Sequence, residues 1–367
     1  MPRLVRTAAA LDDVVEELSA AAEVALDTEF HSERHYYPDL MLIQMRADEG
    51  DPILVDPLAE LDLGPLAAVL AERPVIVHGG ASDVEVLARR LGVAINVTFD
   101  TQIAAGCAGL GFPTRLQTLT SACLGLSMLK GATLSDWSLR PLSEEQLSYA
   151  ADDVLVLAPL KRALEERLDG PRARLAAEFT AEMNRLVLAA DEDDDAWQFV
   201  NGAHLLDGPE RGVLRELASW RQKEARARDV PRHAVAGDAV LLDTARRAPR
   251  DVNALRANRR LPTNVWKRDG PALVACVKRA VALPPPPPPY SRPRAWIDLV
   301  RAAGRVAEAN TGVAAELLLP DRVIAALARG SALPAWRHDA LGREFSDFLH
   351  GKAAIVMPEV LRRFTIS

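Results

Sequence analysis

Three cysteines in 367 residues, Cys107, Cys123 and Cys276, are too few, too scattered and odd in number to make a disulfide framework or a zinc spacing. That scarcity fits a reducing compartment, and a cytoplasmic location is expected. The chain also lacks any run of about 18 uncharged apolar residues, so no membrane span is expected. Its first twenty residues, MPRLVRTAAALDDVVEELSA, reach acids by Asp12 and have no apolar signal core. What is present is a length too great for one ordinary core, so two or three domains are expected.

Net charge is −7, unevenly spread. Residues 1–204 carry 16 Lys and Arg against 34 Asp and Glu, a net of −18. Residues 205–283 carry 17 against 9, a net of +8, and residues 284–367 carry 11 against 8, a net of +3. An acidic front and a basic middle predict separate modules, the second suited to touching a polyanion.

The front reads as α/β. Strand-like runs occur at 23–30, 40–46, 53–56 and 74–79, and their short spacing favours a meander of adjacent strands. Helical patterns follow at 63–72, 82–91, 101–109, 115–124, about 144–168 and 172–189. Ser143 with Gln146, and Ser82 with Glu85, have the spacing of capping boxes. The run DEDDD (191–195) reads as a solvated linker, so a cut near residue 200 is expected to leave a folded α/β unit. From 205 onward the pattern is all-helical, with segments at 209–228, 237–246, 251–256 and 269–282. Six prolines at 284–289 read as a stiff spacer before a second helical block.

The chemistry sits in the acids. Asp27 and Glu29, in VALDTEF, lie at i and i+2 and so share one face of a strand. The fourth strand ends at His78, and Asp83 lies in the first turn of the next helix. Tyr149 and Asp153 lie at i and i+4 on one helical face, with Asp152 turned about 100° away. Three elements can therefore aim four carboxylates at one point, where they repel unless cations intervene. An all-oxygen set favours Mg²⁺ or Mn²⁺, and two such ions about 4 Å apart serve in-line displacement at a phosphodiester. Each piece alone has a plainer explanation, as a turn, a helix-end acid or a chance pair; their joint order carries the reading.

The stretches DTEF, HGGASDVEVL, FDTQIAA and SDWSLRPLSEEQLSYAADDVLVLAP, with YYPDLMLIQM, resemble the DEDDy class of 3′–5′ exonucleases, specifically the ribonuclease D family. The resemblance covers about residues 10–168. It implies a ribonuclease H-like fold with a mixed five-stranded sheet flanked by helices. It also implies metal ligation by Asp27, Glu29, Asp83 and Asp153, with Tyr149 as the family's tyrosine. The stretch LRELASWRQKEARARDVPRHAVAGDAVL (214–241) resembles the HRDC domain, a helical nucleic-acid-binding module. Its basic face suits phosphate contacts without base readout. Arg221, Lys223, Arg226, Arg228 and Arg232 are the candidates, with Lys267 and Arg268.

Among other motif residues, Asp100 is expected to cap the helix opening at Thr101, and Trp137 to sit in the core. His78, Lys130 and Arg140 are candidate substrate contacts, with His78 more readily read as structural and the two cations equally readable as solvated charge. His31 and His35, in the loop after the first strand, are within reach of substrate but are more simply exposed loop histidines. The expected organisation is an exonuclease domain over 1–200, an HRDC domain over 205–283 and a diverged HRDC-like domain over 293–367. The expected activity is two-metal 3′–5′ hydrolysis of RNA to nucleoside 5′-monophosphates, acting on single-stranded 3′ tails such as those of tRNA precursors. A DNA or dual-specificity exonuclease and a non-catalytic scaffold are the rivals. Neither a membrane nor an obligate protein partner is expected.

Overall fold

The computed structural model of the chain describes residues 2–128, 135–188, 193–256, 261–287 and 292–352. Lys130, residues 191 and 192 of the acidic run, prolines 288 and 289, and the 353–367 segment lie outside these.

Among the described residues one mixed sheet is built from β1 (Arg3–Val5), β2 (Val24–His31), β3 (Asp39–Ala47), β4 (Ile53–Val55), β5 (Val75–Val77) and β6 (Val97–Asp100). Its order is β1-β4-β3-β2-β5-β6. The meander holds for β2, β3 and β4, which pair antiparallel. The run at 75–77 does not extend it beyond β4. It returns to the other edge of β2 and pairs parallel there, and a parallel neighbour needs a crossover. Two short strands absent from the sequence reading, β1 and β6, raise the four read there to six, one more than the resemblance implies.

Helices α1 (Ala8–Ala20), α2 (Gly64–Glu72) and α3 (Ala81–Leu91) cover one face, over a core containing Leu26, Ile43, Met45 and Val77. After α4 (Thr101–Cys107) and α5 (Leu116–Leu124), α6 (Glu144–Leu155) and α7 (Leu157–Glu165) cover the other face. There Ala25, Leu42, Leu54 and Ile76 meet Ala150, Val154 and Leu157. Small residues on α6 let it lie close to the strands that carry the acids.

The capping box at Ser143 and Gln146 is formed and starts α6. The single helix expected over 144–168 is instead two, α6 and α7, parted at Val156. Pro159 supplies the reason: it has no N–H for the carbonyl of Leu155 and its ring crowds that oxygen. Arg46 of β3 takes up the freed carbonyl at 3.1 Å.

Helix α8 (Gly170–Leu188) leads to the two helical blocks. The first comprises α9 (Gly208–Arg228), α10 (Arg232–Val235), α11 (Asp238–Arg247), α12 (Val252–Arg256) and α13 (Thr263–Val281). It has a core of its own around Trp197, Leu214, Leu217, Leu241 and Leu273. The second comprises α14 (Arg294–Thr311), α15 (Ala315–Leu318), α16 (Asp321–Ala328) and α17 (Ala335–Leu349). It shares its core with the α/β unit: Ile297, Val300, Leu318 and Phe345 join Ile103, Leu119 and Phe179. Ala314 N–H donates to the carbonyl of Gly106 at 3.0 Å, and a Cβ on Gly106 would meet the Leu317 side chain at 2.6 Å. Arg337, fully buried, binds Glu182 of α8 at 2.6 Å. A cut near residue 200 would therefore uncover the α4–α8 face.

Candidate active site

Strand alternation puts Asp27 and Glu29 on the sheet face beneath α6, and α6 presents Asp153 to them. One carboxylate oxygen from each of the three lies within 4.8 Å of the others. Directly after Glu29 the β2–β3 register shifts, with Glu29 opposite Leu42 and Phe30 opposite Leu40. The extra residue, Met41, makes a bulge at the edge of the cluster, a common device for re-aiming side chains beside a site.

Asp83 arrives from the first turn of α3. The Thr28 hydroxyl, on the opposite face of β2 from Asp27, donates to its carboxylate at 2.5 Å. The Ser82–Glu85 capping box is not formed. α3 begins at Ala81 with Gly80 as its cap residue, and no side chain of its own caps it. Asp100 at the end of β6 does that work from outside, accepting from the N–H groups of Gly79 at 2.9 Å and Gly80 at 3.1 Å. The same carboxylate caps α4 through Gln102 and Ile103, as expected. The turn demands its two glycines: Gly79 has φ +62, and a Cβ on Gly80 would sit 2.6 Å from Val77. The start of α3, and so Asp83, is fixed by this turn.

Four acids brought together in a partly buried place resist ionisation. Burial, then Asp83, Asp153 and Glu29, hold Asp27 well above the usual carboxylate range. Burial followed by Asp153 and Asp83 pushes Glu29 up to about 8. Asp153 is pushed up to about 7 by burial and by Asp152, against a hydrogen bond from Tyr149 that favours its ionised form. Asp83 is raised by burial, with the Thr28 hydroxyl opposing. Tyr149 lies beside Trp137, ring centres 6.1 Å apart, and Trp137 is buried as expected. An all-carboxylate set with unbalanced charge suits hard divalent cations, and that is the test of fit for Mg²⁺ or Mn²⁺.

The other candidates fare differently. His78 has both ring nitrogens engaged: Nε2 donates to the Thr114 carbonyl at 2.9 Å, and Nδ1 lies 2.8 Å from the Thr101 hydroxyl. Arg140 is consumed as a strut. It grips the buried Asp56 twice at 2.8 Å and donates to the carbonyls of Met41, Trp137 and Leu139. Arg221, 7% exposed, is tied to Asp238 at 2.7 Å. Arg228 is tied to Asp269 at 2.6 Å and Glu224 at 2.7 Å. Arg221 points into the fold, and Arg140 and Arg228, partly exposed, have their charge engaged by acids of the fold. Arg268 pairs with Asp269, while Lys223, Arg232 and Lys267 are exposed. Lys130 lies outside the described residues.

Arg226 has a third role. Its Nε donates to the Tyr36 hydroxyl at 3.1 Å, and Gln222 donates to the same oxygen at 2.5 Å. Asp229, just after α9, accepts from the Tyr36 N–H at 3.2 Å, and its other oxygen lies 2.7 Å from His35 Nδ1. The loop between β2 and β3 is thus clasped by the basic helical block. The sequence reading missed this clasp, because the partners are nearly 200 residues apart. It also missed Thr28, which stands inside the DTEF motif itself.

A family model described as a 3′–5′ exonuclease matches residues 2–169, and the HRDC domain model matches residues 210–277. Ribonuclease D of Pseudomonas paraeruginosa is 31% identical over 358 residues, 92% of this chain and 95% of that protein. Ribonuclease D of Zymomonas mobilis is 33% identical, covering 96% of this chain and 95% of that one. The crystal structure of Escherichia coli RNase D, described as an exoribonuclease involved in structured RNA processing, superposes with a TM-score of 0.82 at 28% identity. That match covers 96% of this chain and 98% of the other.

Proposed function

Because the chain belongs to the ribonuclease D family and is a 3′–5′ exoribonuclease, we propose that Asp27, Glu29, Asp83 and Asp153 hold its divalent cations and that Tyr149 serves the attacking water. One observation carries the assignment: carboxylates from a strand and a helix converge within 4.8 Å with their protons held abnormally tightly. The chain itself leaves that charge unbalanced. Held by these carboxylates, divalent cations would supply polarisation of the scissile phosphate and a water acidic enough to act as nucleophile near neutral pH.

The protein's own groups do the rest. The Thr28 hydroxyl holds Asp83, and the Asp100-capped turn holds the helix that carries it. Tyr149, bonded to Asp153, orients a water against the phosphorus through its phenol oxygen. The bulge after Glu29 interrupts the regular β2–β3 pairing beside the acids, where a single-stranded 3′ end is to be received. Products are nucleoside 5′-monophosphates, and substrates are 3′ tails of structured RNA, tRNA precursors among them. Exposed Lys223, Arg232 and Lys267 on the HRDC block supply phosphate contacts without base readout. We assign the exonuclease domain to 1–200, the HRDC domain to 205–283 and a diverged HRDC-like domain to 293–367. No helix among the described residues is long and apolar enough to cross a membrane.

The test is direct. Matched end-labelled RNA and DNA are incubated with the full chain and Mn²⁺ or Mg²⁺. A ladder shortening from the 3′ end of RNA, with 5′-monophosphate products and faster than DNA, supports the reading. Cleavage that persists in chelator, or equal rates on DNA, refutes it.

A further inference from the structure

Gln44 of β3 is fully buried, and neither its Nε2 nor its Oε1 has a hydrogen-bond partner among the described residues. Buried side-chain amides are nearly always bonded, and an exception calls for an explanation. Here the sheet register points to one. Gln44 lies directly opposite Asp27 on β2 and opposite Leu54 on β4, so the three side chains form one row on the face beneath α6. Directly opposite side chains stand about 5 Å apart at Cβ.

The surroundings narrow the partner further. Two residues either way along β3 stand Leu42, fully buried, and Arg46, whose guanidinium already serves the carbonyls of Gly50 and Leu155. From α6, Ala150 and Val154 close over this face, both apolar. Asp27 is the polar side chain in the row. An apolar residue would fill the position as its neighbours do, yet an amide is placed directly opposite a carboxylate.

Resting on the metal-site reading above, we propose that Gln44 is a positioning residue of the cation site. In the cation-loaded protein its Nε2–H donates to the Asp27 carboxylate from inside the sheet, fixing which oxygen faces the cation. Carboxylate ligands are commonly held in this way by an outer hydrogen bond, and losing it lowers metal affinity about 10–100-fold. A residue acting here touches neither water nor RNA; it sets the orientation of Asp27.

The measurement is Mn²⁺ affinity of the full chain without RNA, by electron paramagnetic resonance of free Mn²⁺, alongside thermal unfolding in chelator. Gln44→Met keeps volume and removes the amide. It is expected to unfold in chelator no earlier than the parent, yet to bind Mn²⁺ about 10–100-fold more weakly. Wild-type Mn²⁺ affinity in Gln44→Met overturns the proposal. Asp27→Asn separates the two readings: if it too binds Mn²⁺ normally, the cation site itself is misassigned, whereas loss in Asp27→Asn alone removes only Gln44. Should Gln44→Met fail to fold, the unaltered protein decides. With glutamine side chains labelled by ¹⁵N, Mg²⁺ should shift one buried NH₂ pair and slow its exchange with solvent. Unmoved signals overturn the proposal.

Discussion

Two sets of buried acids in this molecule answer the same problem in opposite ways. Asp56, 1% exposed, and Asp269, 3% exposed, are pushed up by burial, but the arginines beside them outweigh it and hold both below the usual range. Arg140 does this for Asp56, and Arg228 and Arg268 do it for Asp269. Asp27, Glu29, Asp83 and Asp153 are pushed up by burial too, and there the remaining influence is mostly one another. The two sets differ in where the positive charge comes from. In the first the fold supplies it and stiffens; in the second the fold withholds it, so that something from outside must bring it.

The largest test of that contrast is Asp27→Asn. Hydrolysis of labelled RNA should fall well beyond the roughly 10–100-fold seen when a mere supporting partner of a metal ligand is lost. In chelator the same variant should melt at or above the parent temperature, because repulsion has been relieved. Near-normal turnover would place Asp27 in the first set. Next comes Tyr149→Phe, which keeps the ring against Trp137 and removes the hydroxyl. Turnover should drop about 10²–10⁴-fold, with Mn²⁺ affinity and melting temperature little changed. A wild-type rate would make Tyr149 a packing residue only.

Asp56→Asn should do the reverse of Asp27→Asn: stability falls by about 3 kcal/mol, because Arg140 is left without its counter-charge. Chemical denaturation would show it, and an unchanged midpoint would break the contrast from the other side. The two sets also respond oppositely to pH. Glu29 at about 8 and Asp153 at about 7 hold protons that the unfolded chain gives up near pH 4. Between those values the metal-free fold loses stability as pH rises, by about 1.4 kcal/mol for each pH unit over which one proton is held only by the folded chain. Asp56 and Asp269, lowered, contribute stability above pH about 4 and lose it on further acidification. Unfolding in chelator from pH 4 to 9 should therefore peak on the acid side of neutral, and saturating Mg²⁺ should flatten its alkaline limb. The smallest expected effect is Tyr36→Phe in the part-buried clasp. Short oligonucleotides should be cut at the parent rate, with any loss confined to long RNA and visible in binding at low salt.

Much of this was legible in the sequence, for identifiable reasons. The runs that became β2 to β5 are apolar and bounded by turn residues; periodicity pairs Asp27 with Glu29 and Tyr149 with Asp153, and the family resemblance joins Asp83 to them. What escaped had no local signal. β1 has two of its three residues exposed and β6 is buried only at its two ends, so neither shows the apolar run by which the equally short β4 and β5 were read. The engagement of Arg140, Arg221 and Arg228 depends on Asp56, Asp238 and Asp269, which lie 84, 17 and 41 positions away. Basic residues in a row read as a surface because nothing local says that acids await them. The break at Val156 was readable, since Pro159 stands in plain view. So was Gln44, the one polar residue inside the apolar run LMLIQM.

The shared core of α14–α17 has a consequence in time rather than in space. The exonuclease half is made first, yet the covering of its α4–α8 face is complete only when α17 exists. Leu349 at the end of α17 is 161 residues after Leu188 at the end of α8 (349 − 188). At synthesis rates of about 5–20 residues per second, that interval lasts roughly 8–30 s. Through it, Ile103, Leu119 and Phe179 lack part of their covering on a nascent chain whose acidic pocket is already encoded. The order of translation thus makes the catalytic half wait, apolar flank incompletely covered, for residues that never approach its chemistry.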